Sequence, residues 1–371
     1  MTTITGIDLP LGSPGGSVEL LADLYLGSRP LVPADVFMLT APSGRGAVAG
    51  TAPSSQGPLP GPELLTAAGK QLDGPGFWSY VDTLAAAIRA RYAPGDYAVA
   101  HLQHLAFGAT PALLRVFPKL PSIALVHGTD LLFAADHPTQ RAVLLEATEA
   151  ARRVVVPTGA MADRLRTFTS VRAERIREIP WGIPDHLLHA PPQREPRPDG
   201  EFRLLYAGRL TAEKATGELL AGLAAIDGAT LSVAAPPAEF RALAAGHDLA
   251  GVRSLGWLSR AELWRCFTEH DLLVVPSLRL EAFGLVAVEA QACGLPVLYQ
   301  PVPGLVEVLG DSALAADGEV RARPYAAAVA RLMKDPAALD ELRAAGRRNA
   351  ARFPLSGTAA ALRALSAEIA T

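Results

Sequence analysis

The chain has 371 residues, half of them hydrophobic, a formal net charge of -3 and two cysteines. That length exceeds the usual size of one core and points to two domains of roughly 180 residues each. The near-neutral charge excludes a nucleic-acid binder that works through a strong basic field, and two cysteines exclude a disulfide framework.

In the first half, apolar strand-like runs alternate with helical patterns, the signature of βαβ units and parallel sheets. Strands are expected near Ile4 to Leu9, Val36 to Leu39, Tyr97 to His101, Ile123 to His127 and Arg153 to Val156. Helices are expected at Ser17 to Leu26, Trp78 to Tyr92, Ala109 to Phe117 and Arg141 to Ala151. After the first strand, LGSPGGS opens a helix, where Gly15 and Gly16 let backbone approach a ligand and the helix start can face a phosphate. A plain tight turn explains this motif as well. Residues Ala41 to Pro62 are rich in Pro, Gly and Ser and form either an active-site loop or slack. His101 and His104 have metal-like spacing but no Cys or acid partner beside them, and no metal is expected. VHGTD sets His127 and Asp130 at a strand end, facing the cleft between the domains. Met161, Leu165, Phe168 and Val171 form an apolar helical stripe flanked by Arg164, Arg166, Arg172, Arg175 and Arg177, which reads as a core-facing helix rather than a membrane surface.

Ala190 to Gly200 (APPQREPRPDG) is the expected connector and hinge, with domains at 1–189 and 201–354. Strands follow at Arg203 to Tyr206, Thr230 to Ala234, Arg253 to Leu255, Asp271 to Val275 and Pro296 to Tyr299. YAGRLTAEK places Arg209 and Lys214 just past a strand, where two cations suit a diphosphate. The segment PSLRLEAFGLVAVEAQACGLPV carries Glu281 in a loop and Glu289 on the helix Leu285 to Cys293. Two carboxylates there can reach two separate hydroxyl groups while backbone amides between them face a phosphate. That division suits a nucleoside diphosphate sugar, although helix-start charge and a solvated helix acid remain the ordinary alternatives. Glu307, in PGLVE, reads as an ordinary acid near a helix start, and Cys266 and Cys293 as buried packing thiols.

Taken together, these motifs resemble the retaining nucleotide-sugar glycosyltransferases of glycosyltransferase family 4, over nearly the whole chain. The resemblance implies an α/β chain of GT-B fold, two facing Rossmann-like domains with parallel sheets and an interdomain cleft. By that likeness Glu281 contacts donor-sugar hydroxyls and Glu289 the ribose. Phe283, Gly284 and Leu285 present main-chain groups to sugar and phosphate. Arg209 and Lys214 hold the diphosphate, His127 lines the reacting face of the sugar, and the backbone near Trp257 and Leu258 recognises the base. The tail, 355–371, resembles a terminal helix that crosses back to the first domain. Three departures stand out: Trp181 where the family has asparagine, Ala215 after Lys214, and Ala234 to Pro237 in place of a glycine-rich turn.

The expected activity is metal-independent transfer from a nucleotide sugar, foremost a UDP-sugar, to a small-molecule acceptor, with no other cofactor. The acceptor is expected to be soluble, an aminocyclitol or other antibiotic precursor, met by first-domain acids such as Asp8, Glu19, Asp23 and Asp130. No nucleic-acid partner is expected and no membrane anchor is evident. The N-terminus lacks a basic region followed by a long apolar run, so the cytoplasm is the expected location. A lipid acceptor, a sugar-nucleotide epimerase and a non-catalytic partner subunit stay open as rivals.

Overall fold

Runs of apolar and β-branched residues build two parallel sheets in the computed structural model, which describes residues 2–40, 61–194, 200–316, 318 and 322–370. The first sheet contains β1 (Thr3–Pro10), β2 (Ala34–Leu39), β3 (Glu63–Leu65), β4 (Val99–Gln103), β5 (Ser122–Leu125), β6 (Arg153–Val156) and β7 (Ile176–Glu178). Its order is β3-β2-β1-β4-β5-β6-β7, with every pairing parallel. The second contains β8 (Phe202–Ala207), β9 (Ala229–Ala234), β10 (Val252–Ser254), β11 (Leu272–Val275), β12 (Val297–Tyr299) and β13 (Leu314–Ala315), in the order β10-β9-β8-β11-β12-β13, again parallel throughout.

In each sheet the chain runs outward from a central strand, then returns to its other side. This creates a topological switch point between β1 and β4 in the first sheet and between β8 and β11 in the second. Crevices that admit ligands lie outside the carboxyl ends of strands at such points. Strand centres are apolar on both faces, as in Leu272, Leu273 and Val274, because helices cover both sides of a parallel sheet.

Two compact units result. One comprises 1–13, 17–180 and 356–371, the other 14–16 and 181–355. The division falls between Pro180 and Trp181, upstream of the proline-rich stretch where composition places it. Of that stretch, 195–199 lie outside the described residues. Arg194 belongs to the second unit, donating to the carbonyls of Phe267 (2.9 Å) and His270 (2.7 Å). Ile183 and Pro354 form a parallel bridge, and a Cβ at Gly182 would lie 2.4 Å from Leu355 Cα, so these two chain segments run in close contact.

The tail forms the helix Leu355–Ile369, and its residues from Ser356 onward group with the first unit. Inside that unit Ser366 Oγ sits 2.8 Å from His101 Nε2, and Arg152 donates to the Ile369 carbonyl at 3.3 Å.

Several boundaries differ from the sequence expectation. β4 begins at Val99 because Pro94–Asp96 forms a 3-10 turn just before it. β5 ends at Leu125, and the next helix, Gly128–Asp136, takes His127 as the residue at its start. The arginine-flanked stripe is not one helix: it ends at Arg166, with Met161 and Leu165 buried, and the chain then turns into β7. Arg175 donates to the carbonyls of Thr148 (2.7 Å) and Glu149 (3.0 Å), the open C-terminal end of the helix Pro138–Ala150. Residues 41–60 of the Pro/Gly/Ser-rich stretch lie outside the described residues. No helix among the described residues is long and apolar enough to cross a membrane.

Candidate active site

In the second unit the switch point carries the expected charges. Lys214 follows β8 and Glu281 follows β11, and the two side chains form an ion pair. Ser277 Oγ donates to the same Glu281 oxygen at 3.1 Å. The Glu281 loop is fixed from below by Gly304, whose φ is +89° and where a Cβ would lie 1.8 Å from the Glu281 carbonyl oxygen, so only glycine fits. Phe283 is buried against Phe353, edge to face at 5.0 Å. Gly284, in left-handed conformation, starts the helix Leu285–Ala292 at the carboxyl end of β11. Leu258 sits half-buried in the loop after β10, just before the helix Arg260–Thr268, which Ser259 and Glu262 cap reciprocally.

Arg209 stands at the same rim, half-exposed, and its Nε donates to Glu239 Oε1 at 2.9 Å. Glu239 Oε2 also accepts the Leu210 N–H at 2.7 Å. This pairing uses the guanidinium's inner nitrogen and leaves its terminal nitrogens without a partner among the described residues. Burial, then the carboxylates of Glu281 and Glu239, push the Tyr206 phenol up, keeping it a donor to the Arg209 carbonyl. Both cations are thus paired with carboxylates of the same unit. Their remaining donors suit an anion with several oxygens.

Glu289 lies on the expected helix. It is buried, and three N–H groups point at it: Arg260 Nε at 3.0 Å and a second Arg260 nitrogen on Oε1, and Trp264 Nε1 on Oε2 at 2.9 Å. Neither a solvated helix acid nor an unencumbered pair of acceptors describes it. Glu307, by contrast, is exposed on the short helix Leu305–Leu309.

The first unit has its own polar cluster at the β1/β4 switch point. Asp8, 2 % exposed at the end of β1, accepts from the Tyr80 hydroxyl at 3.2 Å and pairs with Lys70 at 3.5 Å. His104, just past β4, is a non-glycine residue at φ 53°, a conformation uncommon for a side-chain-bearing residue, and its Nε2 lies 2.6 Å from Ser17 Oγ. The His127 ring is tilted 36° to it, ring centres 5.0 Å apart, with Nε2 3.2 Å from Gln103 Oε1. Asp130 accepts the His127 N–H at 2.8 Å and so secures the helix start. Gly15, with φ 153°, and Gly16, where the helix Gly16–Tyr25 begins, group with the second unit. His101 is fully buried, its two ring nitrogens each 2.8 Å from a hydroxyl, of Tyr25 and Ser366.

Sequence reasoning singled out Lys214, Glu281, Arg209 and Glu289 but not their partners Glu239, Arg260, Trp264 and Ser277. It named Asp8 without Lys70 or Tyr80. The acid three residues past Pro236, at the helix Pro237–Ala244, was the available signal for Glu239, since helix first turns favour acids.

The buried imidazoles make stability depend on pH. Burial holds His101 and His104 down at about 4, and burial, then His104, holds His127 well below its ordinary value. Each is neutral in the fold yet gains a proton in the unfolded chain below about pH 6.5. The stability they contribute above that pH is therefore lost as pH falls toward 4, about 2 kcal/mol each for His101 and His104 by pH 5. Asp130 acts oppositely: burial pushes its carboxyl up to about 7, so acidification below that value favours the fold. The imidazoles outweigh the one carboxyl, and a net loss of stability is expected between pH 7.5 and 5. Thermal unfolding at the two pH values checks this, and a midpoint that rises on acidification overturns it.

Residues 191–352 match the family model described as glycosyl transferases group 1, and residues 47–187 that of glycosyltransferase family 4. The chain is 32% identical to D-inositol 3-phosphate glycosyltransferase 1 of Catenulispora acidiphila, over 70% of each chain. It is 30% identical to the D-inositol 3-phosphate glycosyltransferase of Thermobispora bispora, over 74% of this chain and 71% of that one. Among solved structures, sucrose-phosphate synthase from Thermosynechococcus elongatus superposes with a TM-score of 0.76 at 21% identity, covering 99% of both chains. Anabaena HepE in complex with UDP and glucose does so with a TM-score of 0.74 at 17% identity, covering 99% of this chain and 100% of that one. At those identities the structures establish a shared fold.

Proposed function

The chain belongs to glycosyltransferase family 4, with two Rossmann-like domains of the GT-B type, and on that premise we propose that it transfers a sugar, with retention, from a UDP-sugar to a hydroxyl of a small cyclitol. The observation that carries this reading is the meeting of Lys214 and Glu281 across the β8/β11 switch point, beside the start of the helix Leu285–Ala292.

The chemistry follows from charge. As the sugar's anomeric C–O bond breaks, its electron pair goes to the leaving diphosphate, and Lys214 and Arg209 offset that charge without a metal ion. Glu281, released from Lys214 by the incoming phosphate, accepts from donor-sugar hydroxyls. The acceptor oxygen bonds to the anomeric carbon on the face the diphosphate leaves, and its proton passes to a diphosphate oxygen. No protein base is required.

The acceptor belongs with the first unit's cluster. Neutral imidazoles, the Asp8 carboxylate and the Ser17 and Tyr80 hydroxyls offer donors and acceptors to a polyhydroxylated ring. The D-inositol 3-phosphate glycosyltransferases among its relatives support a cyclitol.

A thermal-shift panel of UDP, GDP, ADP and TDP tests the donor, since a ligand that binds the folded state raises the midpoint: at a hundredfold excess over Kd the gain is about 2.7 kcal/mol. UDP is expected to give the largest shift, and incubation of UDP-sugar with inositol to give a glycoside. A flat response to all four nucleotides overturns the reading.

A further inference from the structure

The polar cluster of the first unit is built around a carboxylate that is held in place. Asp8 lies near the end of β1 with its side chain 3 % exposed, and its Oδ2 meets the Tyr80 hydroxyl at 3.2 Å and the Lys70 ammonium at 3.5 Å. Lys70 also donates to the Asp8 main-chain carbonyl, so two of the three N–H groups of its ammonium are directed at one residue. The helix Ala109–Val116 closes over the same oxygen at Gly108, where a Cβ would lie 3.2 Å from Oδ2 and 2.6 Å from the Tyr80 ring. Lys214 and Glu281 differ, since that carboxylate sits in a loop and is 19 % exposed. The neighbours of Lys70 bring no further positive charge. Ser17, Tyr80 and Gln103 are uncharged, burial holds the His104 ring down at about 4, and His127 stays well below its ordinary value.

A phosphate placed at Lys70 would meet a cation already engaged, with a buried carboxylate directly behind it, and like charges that close repel. A ring bearing only hydroxyl or amino groups meets no such repulsion. We infer that Asp8 sets the acceptor specificity of this protein: by holding Lys70 it admits a cyclitol without phosphate and turns away a phosphorylated one, in contrast to the relatives named for D-inositol 3-phosphate. The inference rests on the proposed acceptor site and deepens it.

The experiment measures kcat/KM for transfer from UDP-glucose and from UDP-N-acetylglucosamine to myo-inositol and to D-inositol 3-phosphate. In the wild type myo-inositol should be preferred at least about tenfold, the scale of a hydrogen bond to a charged group. Asp8→Asn keeps an acceptor for the Tyr80 hydroxyl and removes the charge. In that variant kcat/KM for D-inositol 3-phosphate should rise several-fold in absolute terms, as the freed ammonium meets the phosphate. Adding Lys70→Met to Asp8→Asn should cancel the rise. A purely structural role for Asp8 would lower both acceptors alike and leave their ratio unmoved, which overturns the inference. The wild-type ranking decides even where Asp8→Asn does not fold: equal use of the two rings, or preference for D-inositol 3-phosphate, overturns the inference and leaves the proposed function standing. Transfer to neither ring from either donor overturns the cyclitol reading and this inference with it, so the two failures are told apart.

Discussion

Lys214→Met is expected to lower the rate of sugar transfer about a thousandfold with little change in stability. A fixed cation about 4 Å from developing charge, at an effective dielectric near 20, is worth about 4 kcal/mol, which is that factor if it is realised in the transition state. Methionine keeps most of the stem and removes the charge. The Lys214 and Glu281 side chains are 34 % and 19 % exposed, so water reaches the carboxylate left behind, and Ser277 still donates to it. Loss of the pair should therefore cost about 1 kcal/mol or less. Steady-state kinetics with a saturating acceptor provide the measurement, and a residual rate within tenfold of the wild type would remove Lys214 from the proposed chemistry.

Arg260→Ala should act on stability instead, by about 3 to 5 kcal/mol. Its partner Glu289 is buried, and without the guanidinium a negative charge remains in the interior with the Trp264 N–H as its donor. Breaking one side of a buried ion pair costs more than the pair contributes, because the remaining charge has lost its solvation and its counter-charge. The paired change Arg260→Leu with Glu289→Gln should accordingly recover most of the loss. Thermal unfolding of the two variants checks both statements. A double variant no more stable than Arg260→Ala would mean that packing, not charge, is what Arg260 provides.

Much of the fold could be read from residues because buried parallel strands are conspicuous. Runs such as Leu272–Val275 and Val154–Val156 are apolar and valine-rich, begin after a charged residue and end at a proline. The strands that were missed, Glu63–Leu65, Ile176–Glu178 and Leu314–Ala315, are two or three residues long and lie at sheet edges, where no two-sided apolar pattern is needed. His127 was placed in a strand because the apolar run continues into it. In the structure, Asp130 turns the chain into a helix there.

The site divides along the same physical line. Lys214 and Glu281 were singled out because each lies in the loop that follows a strand. Their pairing was not, because it depends on β8 and β11 being neighbours, and strand order is not written locally. For the same reason Glu239, 30 positions from Arg209, and Trp264, 25 from Glu289, were invisible: each comes from a different βα unit and arrives only after the sheet has closed.

The parallel bridge between Ile183 and Pro354 bears on how such a chain could exchange parts with its relatives. Residues 181–189 precede β8 by sequence yet belong to the second unit, held there by the segment that ends it. A recombination crossover in the proline-rich stretch would separate those residues from the partner segment with which they were selected, despite looking like a natural seam. Junctions at 180/181 and 355/356 keep the bridge within one parent. Chimeras joined there should inherit an intact second unit, whereas those joined at the conspicuous seam would begin life with a foreign strand pairing at their own boundary.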